Sequence, residues 1–131
     1  MDKTRLFIID DNESLVGMVK NYFKEVEDVE VVLEASNGDE AISIIDKHKN
    51  EFDIMVLDLV MPRKDGIEVL EYLYNNEIDK KVIVLTSYTT QDMISKVASL
   101  GASYFMIKPF ELDDLYNKVK SLTRKTTKGD L

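Results

Sequence analysis

Three carboxylates, a hydroxyl and an ammonium stand at the ends of four apolar runs in this chain. Phe7-Ile8-Ile9 runs into Asp10-Asp11, and Ile54-Met55-Val56-Leu57 into Asp58. Val82-Ile83-Val84-Leu85 runs into Thr86-Ser87, and Tyr104-Phe105-Met106-Ile107 into Lys108-Pro109. Clustered carboxylate oxygens suit a hard divalent cation such as Mg²⁺. A carboxylate can also attack phosphorus and carry it as an aspartyl phosphate. An ammonium and a hydroxyl then serve the phosphoryl oxygens, because phosphoryl transfer needs positioning and charge neutralisation above all.

These residues meet only if the runs are parallel strands with one shared rim. In an open α/β sheet that rim, outside the carboxyl ends of the strands, is where ligands bind. The chain supplies the required alternation. Leu15, Met18, Val19, Tyr22, Phe23 and Val26 have helical spacing after the first run. Val29 to Leu33, flanked by Glu30 and Glu34, reads as an edge strand. Asn37-Gly38-Asp39-Glu40 reads as a capped helix start with Asn37 as N-cap, and Ala41, Ile44 and Ile45 form its apolar face.

Met61 to Gly66 is a loop, followed by a face of Ile67, Leu70, Leu73 and Tyr74. A fourth helix, capped at Thr89 or Thr90, turns Met93, Val97 and Leu100 inward and ends at Gly101. A fifth carries Leu112, Leu115, Val119 and Leu122. Alternating strands and helices predict an α/β domain with a doubly wound, five-stranded parallel sheet, five helices and strand order 2-1-3-4-5. Residues 1–122 form that domain, and 123–131, where apolar periodicity stops, read as a linker or frayed tail.

In that order the Asp10 and Asp58 strands are neighbours, about 4.8 Å apart. Two carboxylates about 4 Å apart repel by roughly 4 kcal/mol at an effective dielectric of about 20. A bound Mg²⁺, or Mn²⁺, relieves that repulsion and leaves Asp58 as the nucleophile. Lys108 lies two strands away, roughly 10 Å at the backbone, within reach of its long side chain. Taken singly, each motif is ordinary. Asp-Asp before a helix usually caps it, Thr at a strand end usually bonds backbone, and Lys-Pro is a common loop dipeptide. Their coincidence at four strand ends carries the chemical reading. His48, among Lys47 and Lys49, reads as solvated.

Composition narrows the alternatives. The 131 residues suit one domain, and 44% hydrophobic content is ordinary for a globule. There is no cysteine, so disulfides, thiolate catalysis and cysteine-bound zinc are excluded. Seventeen basic against 25 acidic residues give a net charge of -8, unlike a DNA-binding surface. No run has transmembrane length and Met1-Asp2-Lys3 opens no signal peptide, so a cytoplasmic chain without direct contact to nucleic acid or membrane is expected.

The same residues carry a family resemblance over about Thr4 to Leu122. Ile8-Ile9-Asp10-Asp11-Asn12, Val56 to Pro62 with Asp65-Gly66, Val84-Leu85-Thr86-Ser87, and Gly101-Ala102-Ser103 through Lys108-Pro109-Phe110 resemble the receiver domains of two-component response regulators. Within that family, Gly101 to Phe105 with Lys108-Pro109-Phe110 resembles the receiver of the sporulation master regulator of endospore-forming bacteria, as does Val29-Glu30-Val31 after a Glu-Asp pair.

The resemblance implies Asp58 as phosphoacceptor, Asp10 and Asp11 as Mg²⁺ ligands with the Val60 carbonyl, and Lys108 as the phosphoryl-contacting lysine before a cis Pro109. It implies Thr86 as the hydroxyl that moves onto the phosphoryl group, Ser87 as the small residue beside it, and Phe105 as the aromatic that swings inward. Many receivers have Tyr where Phe105 stands, so the readout here rests on packing; Tyr104, by strand alternation, faces the other way. The output face is the fourth helix, fifth strand and fifth helix.

Val60 and Tyr88, two residues past Asp58 and Thr86, overhang the acyl phosphate in the family and point to slow dephosphorylation. The implied partners are a histidine kinase or phosphotransferase and a second copy in a phosphorylation-dependent dimer. The chain is then no enzyme beyond its own phosphoryl transfer. A haloacid-dehalogenase-type phosphatase would carry an Asp where Val60 stands, and a flavodoxin would need a phosphate loop where Asp10 to Glu13 stand. A receiver-like module acting without phosphorylation is the remaining alternative.

Overall fold

A computed structural model describes residues 3–87 and 90–123. Ten elements alternate: β1 (Thr4–Ile9), α1 (Glu13–Lys24), β2 (Val29–Ala35), α2 (Gly38–His48), β3 (Ile54–Asp58), α3 (Gly66–Asn75), β4 (Lys81–Thr86), α4 (Gln91–Ser99), β5 (Tyr104–Ile107) and α5 (Leu112–Thr123). All strand pairs are parallel, in the expected order β2-β1-β3-β4-β5. Tyr88 and residues 124–131, where most of the expected tail falls, lie outside the described residues; α5 itself runs to Thr123.

Strand alternation divides the core in two. Phe7, Ile9, Met55, Leu57, Val82 and Val84 pack with Ala41 and Ile45 of α2, Val69, Leu70 and Leu73 of α3, and Val97 of α4. Leu6, Ile8, Ile54, Val56, Ile83, Leu85 and Met106 pack with Val16, Val19 and Phe23 of α1 and Leu115 and Val119 of α5. β3 is buried along its whole length, as a central strand covered on both faces must be. The ladder between β1 and β2 shifts register at Leu6/Phe7, where Leu6 faces Val31 but Phe7 faces Leu33, so Val32 is an extra residue in the edge strand.

Local chemistry sets the helix ends. Asn12, Asn37, Asp65 and Thr90 are the N-caps of α1, α2, α3 and α4, each accepting a first-turn N–H. At α2 the cap is Asn37 as expected, but the returning Glu40 carboxylate takes the N–H of Ser36 at 2.6 Å. Gly101 has φ of 96°, the left-handed conformation expected of a residue closing a helix.

Two expected inward residues point outward. Met18 is 53% and Tyr74 62% exposed. The buried stripe of α3 is Gly66, Val69, Leu70 and Leu73, so Tyr74 lies past its edge in the last turn. In α1 the inward residues are Val16, Val19 and Phe23, which leaves Met18 on the flank. His48 is partly exposed, with Nδ1 2.5 Å from Glu51 Oε2.

Candidate functional site

Among the described residues only three polar or charged side chains are buried: Asp10, Asp58 and Thr86. All three lie at the carboxyl ends of neighbouring strands. Burying a carboxylate is costly unless it is paired. The pairing is supplied by Lys108, just past β5. Its Nζ lies 2.8 Å from Asp10 Oδ2 and 3.3 Å from Asp58 Oδ1. The Lys108 N–H is in turn donated to the Thr86 carbonyl at 2.8 Å. The Lys108–Pro109 peptide is cis.

Asp10 has its other oxygen on the Asn12 N–H at 2.9 Å. The cap of α1 is Asn12, whose Oδ1 accepts the Leu15 N–H at 3.1 Å. The acidic pair is therefore not consumed in capping. Asp11 is exposed, yet one oxygen from each of Asp10, Asp11 and Asp58 fits within a sphere of contacts no longer than 4.8 Å. Three hard oxygens at one exposed mouth fit Mg²⁺, which takes one or two carboxylates and completes its shell with water and phosphate oxygen. Val60 follows Asp58 by two residues.

The electrostatics follow from this crowding. Burial pushes the Asp58 carboxyl up to about 6, and the Asp10 charge adds to the rise. The Lys108 charge and hydrogen bond hold it back in part, and the Val60 backbone N–H adds to this. Burial by itself works to lower the Lys108 ammonium, but the hydrogen bond and charge of Asp10, with those of Asp58, outweigh it and raise Lys108 above its ordinary value. At neutral pH the site holds an ionised but basic Asp58 beside a firmly charged Lys108.

Alternation places the remaining residues. Thr86 continues the Val82–Val84 row toward α4, and Phe105, opposite Val84, packs half-buried on that same face. Ser87 is exposed and lines a groove with Asn12, Leu15, Met18, Lys108, Pro109 and Phe110. Tyr104 turns to the α5 side, where Ser121 Oγ donates to its hydroxyl at 3.1 Å and Lys118 Nζ lies 4.7 Å from its ring centroid. Val60 is 52% exposed and lines a groove with Met93 of α4.

Sequence reasoning did not foresee that Lys108 is held mainly by Asp10. It also passed over two backbone contacts at glycine. A Cβ on Gly66 would come 2.5 Å from the Asp58 carbonyl, and one on Gly38 2.2 Å from the Lys64 carbonyl. The only available signal was glycine at the first position of two helices, where glycine is not otherwise favoured.

Residues 6–120 match the family described as "Response regulator receiver domain", and the chain belongs to that family. The receiver domain of the Francisella response regulator 1452 is similar at 28% identity and TM-score 0.82, with 92% of this chain and 96% of that one covered. A chain of the CheX–CheY–BeF3–Mg²⁺ complex from Borrelia burgdorferi is similar at 25% identity and TM-score 0.87, with 95% and 92% covered. The response regulator domain of CheB from Thermotoga maritima, at 23% identity, TM-score 0.83 and coverage of 95% and 99%, shares the fold. Receiver domains bind Mg²⁺ at an acidic pocket and interact with kinases or phosphotransferases. No described helix is long and apolar enough to cross a membrane.

Proposed function

We propose that this receiver is a phosphoacceptor switch in which Asp58 takes a phosphoryl group from a histidine kinase or phosphotransferase. The observation that carries the reading is the buried Asp58 carboxylate, raised to about 6, with Lys108 Nζ 3.3 Å away and the oxygens of Asp10 and Asp11 within 4.8 Å. An Asp58 oxygen forms the new bond to phosphorus as the P–N bond of the donor's phosphohistidine breaks. The electron pair returns to the imidazole nitrogen, which takes a proton from solvent. Asp10, Asp11, Asp58 and the Val60 carbonyl are the residues that hold Mg²⁺ or Mn²⁺. When bound, the ion neutralises charge on the transferring group. Lys108 offers its ammonium to a phosphoryl oxygen, and Thr86 its hydroxyl to another.

The movement of Thr86 frees the space into which Phe105 turns and repacks α4, β5 and α5, while the small Ser87 leaves access to the phosphoryl group open. Output is dimerisation or control of a DNA-binding domain, in keeping with the acidic chain's unsuitability for direct DNA contact. The domain turns over no other substrate and works in the cytoplasm. Gene control of the sporulation type rests on the resemblance at Gly101 to Phe105 and Lys108 to Phe110.

Intact mass after incubation with acetyl phosphate or phosphoramidate, with and without Mg²⁺ and beside Asp58→Asn, tests the reading. One added phosphoryl group, dependent on Mg²⁺ and absent in Asp58→Asn, is expected. No adduct under any condition overturns it in favour of a phosphorylation-independent interaction module.

A further inference from the structure

The loop that leaves Asp58 has little side-chain packing to hold it in place. Leu59 and Met61 enter the core, but Val60, Pro62, Arg63 and Lys64 are all exposed, so side chains do not hold the far half. The Val60 backbone lies on this loop, two residues past Asp58, and its N–H helps to hold the Asp58 carboxyl down. Near Asp58 the backbone is tied by Leu59 N–H to the Leu85 carbonyl at 3.1 Å and by Gly66 N–H to the Leu59 carbonyl at 2.9 Å. The far half has a different anchor. Gly38, the buried first residue of α2, donates its N–H to the Lys64 carbonyl at 2.8 Å.

This contact is backbone against backbone. A Cβ on Gly38 would lie 2.2 Å from the Lys64 carbonyl oxygen, 2.5 Å from its Cβ and 2.6 Å from its carbonyl carbon. No side chain fits there without moving the loop or the helix. Asp39, next along α2, faces both loop cations, with Arg63 Nε at 3.4 Å and Lys64 Nζ at 3.7 Å. Arg63 is held at φ of 63°, a left-handed conformation that a residue with a side chain rarely adopts. The surroundings therefore impose the loop's path. Pro62 fixes its own φ and restricts Met61, so the stretch from Val60 to Pro62 is stiff and passes on a displacement at Lys64.

We propose that the N-terminus of α2 clamps the loop after Asp58, with Gly38 as a positioning residue that sets where the Val60 backbone stands relative to the Asp58 carboxylate. The proposal rests on the reading of Asp58 as a phosphoacceptor that works with Mg²⁺. Gly38 touches none of the reacting groups and acts through Lys64 and the loop.

Amide NMR of the intact chain tests the clamp, with Gly38→Ala and Gly17→Ala compared. A Cβ at Gly17 meets nothing within 4 Å, so Gly17→Ala is the control. In metal-free protein the Val60 amide resonance is expected to move in Gly38→Ala and stay in Gly17→Ala. The Mg²⁺ concentration at half-saturation is expected to rise about tenfold or more in Gly38→Ala alone, the usual cost of losing a group that orients a metal's ligands.

Hydrogen exchange on the wild type covers the case in which Gly38→Ala does not fold. Protection of the Gly38 amide is expected to rise on Mg²⁺ addition together with that of Val60. An unmoved Val60 amide with unchanged Mg²⁺ half-saturation in folded Gly38→Ala, or a Gly38 amide indifferent to Mg²⁺ while Val60 responds, overturns the clamp. Absence of a phosphoryl adduct on wild-type protein that still shows these Mg²⁺ effects overturns the phosphoacceptor reading and supports the clamp.

Discussion

The Lys108 ammonium stands 3.3 Å from Asp58 Oδ1 while its shorter contact, 2.8 Å, is to Asp10 Oδ2. One cation therefore serves two buried carboxylates on adjacent strands. Removing it leaves them facing each other with no compensating charge. In Lys108→Met the Asp58 carboxyl is expected to titrate above its present value of about 6. Phosphorylation by acetyl phosphate at pH 7 is expected to slow roughly a hundredfold, the lower range for loss of one preorganised stabilising group at a reacting centre. Carbon-detected NMR titration of Asp58 and timed intact mass check both; an Asp58 titration unmoved by the substitution removes Lys108 from its environment.

The raised Asp58 carboxyl has a consequence for stability whose sign is opposite to that of most acidic residues. Its pKa is about 6 in the folded state against 3.8 ordinarily, so the fold prefers the protonated form. That preference favours folding fully below pH 3.8 and is lost as pH rises through 6. At pH 7.5 the ionised carboxylate costs on the order of 2–3 kcal/mol relative to its protonated form. Asp58→Asn is expected to melt higher than wild type at pH 7.5 without Mg²⁺, and the gap to close toward pH 4.5. Asp28 and Asp53 run the other way: bonded chiefly to Lys120 and Arg5, both are lowered, so their contributions are lost as pH falls. Calorimetry of the two proteins across pH separates these effects, since only Asp58 differs between them. Added Mg²⁺ is expected to raise the wild type selectively, by RT ln(1 + [Mg²⁺]/Kd).

Val60, two residues past Asp58, is half exposed, and in the receiver family the side chain at this place overhangs the acyl phosphate. An apolar side chain there hinders an attacking water, and an amide guides one. The acyl phosphate is expected to hydrolyse several-fold faster in Val60→Asn, roughly the effect of positioning one water by a hydrogen bond. Tyr88→Ala is expected to act in the same direction by removing bulk. Loss of the phosphoryl mass with time after removal of the donor reads the rate, and equal half-lives for the three proteins refute the idea.

Thr86 is fully buried at the end of β4, and Phe105 is half-buried on the same face of β5. On the proposed reading, acceptance of the phosphoryl group rests mainly on Asp58, the metal and Lys108, and its readout on Thr86 and Phe105. Thr86→Ala is expected to gain the phosphoryl mass at a rate within roughly a few-fold of wild type, since the main neutralising charges remain. The accompanying shifts of the Phe105 ring and α4 amide resonances are expected to be lost. Full-sized shifts in Thr86→Ala dissociate the two residues.

Much of this was legible from the chain itself because the signals repeat. Four apolar runs ending in polar residues at comparable spacing define strands, their direction and a common rim. Alternation then told correctly that Tyr104 faces away from the Phe105 side. What was not legible depends on distance in three dimensions. Nothing in the order of residues says that Lys108 lies nearer Asp10 than Asp58, because the two carboxylates differ in reach by fractions of an ångström. Met18 and Tyr74 were misplaced because helical spacing gives the direction of an apolar stripe but not the edge of the surface it meets. Gly38 and Gly66 are silent in pattern terms, since close backbone approach leaves no side chain to read.

The extra residue at Val32 has a further effect. It interrupts the ladder that ties β2 to β1 midway along this edge strand, between exposed Glu30 and Glu34. An incoming strand would meet a broken register and two negative charges. The opposite margin is only the four residues of β5, closed by Pro109, which has no N–H to offer. Neither margin is a template for polymerisation. The domain can be present at high concentration, or beside many copies of itself, without its sheet growing, and contacts between molecules are left to helix surfaces where side chains can choose the partner.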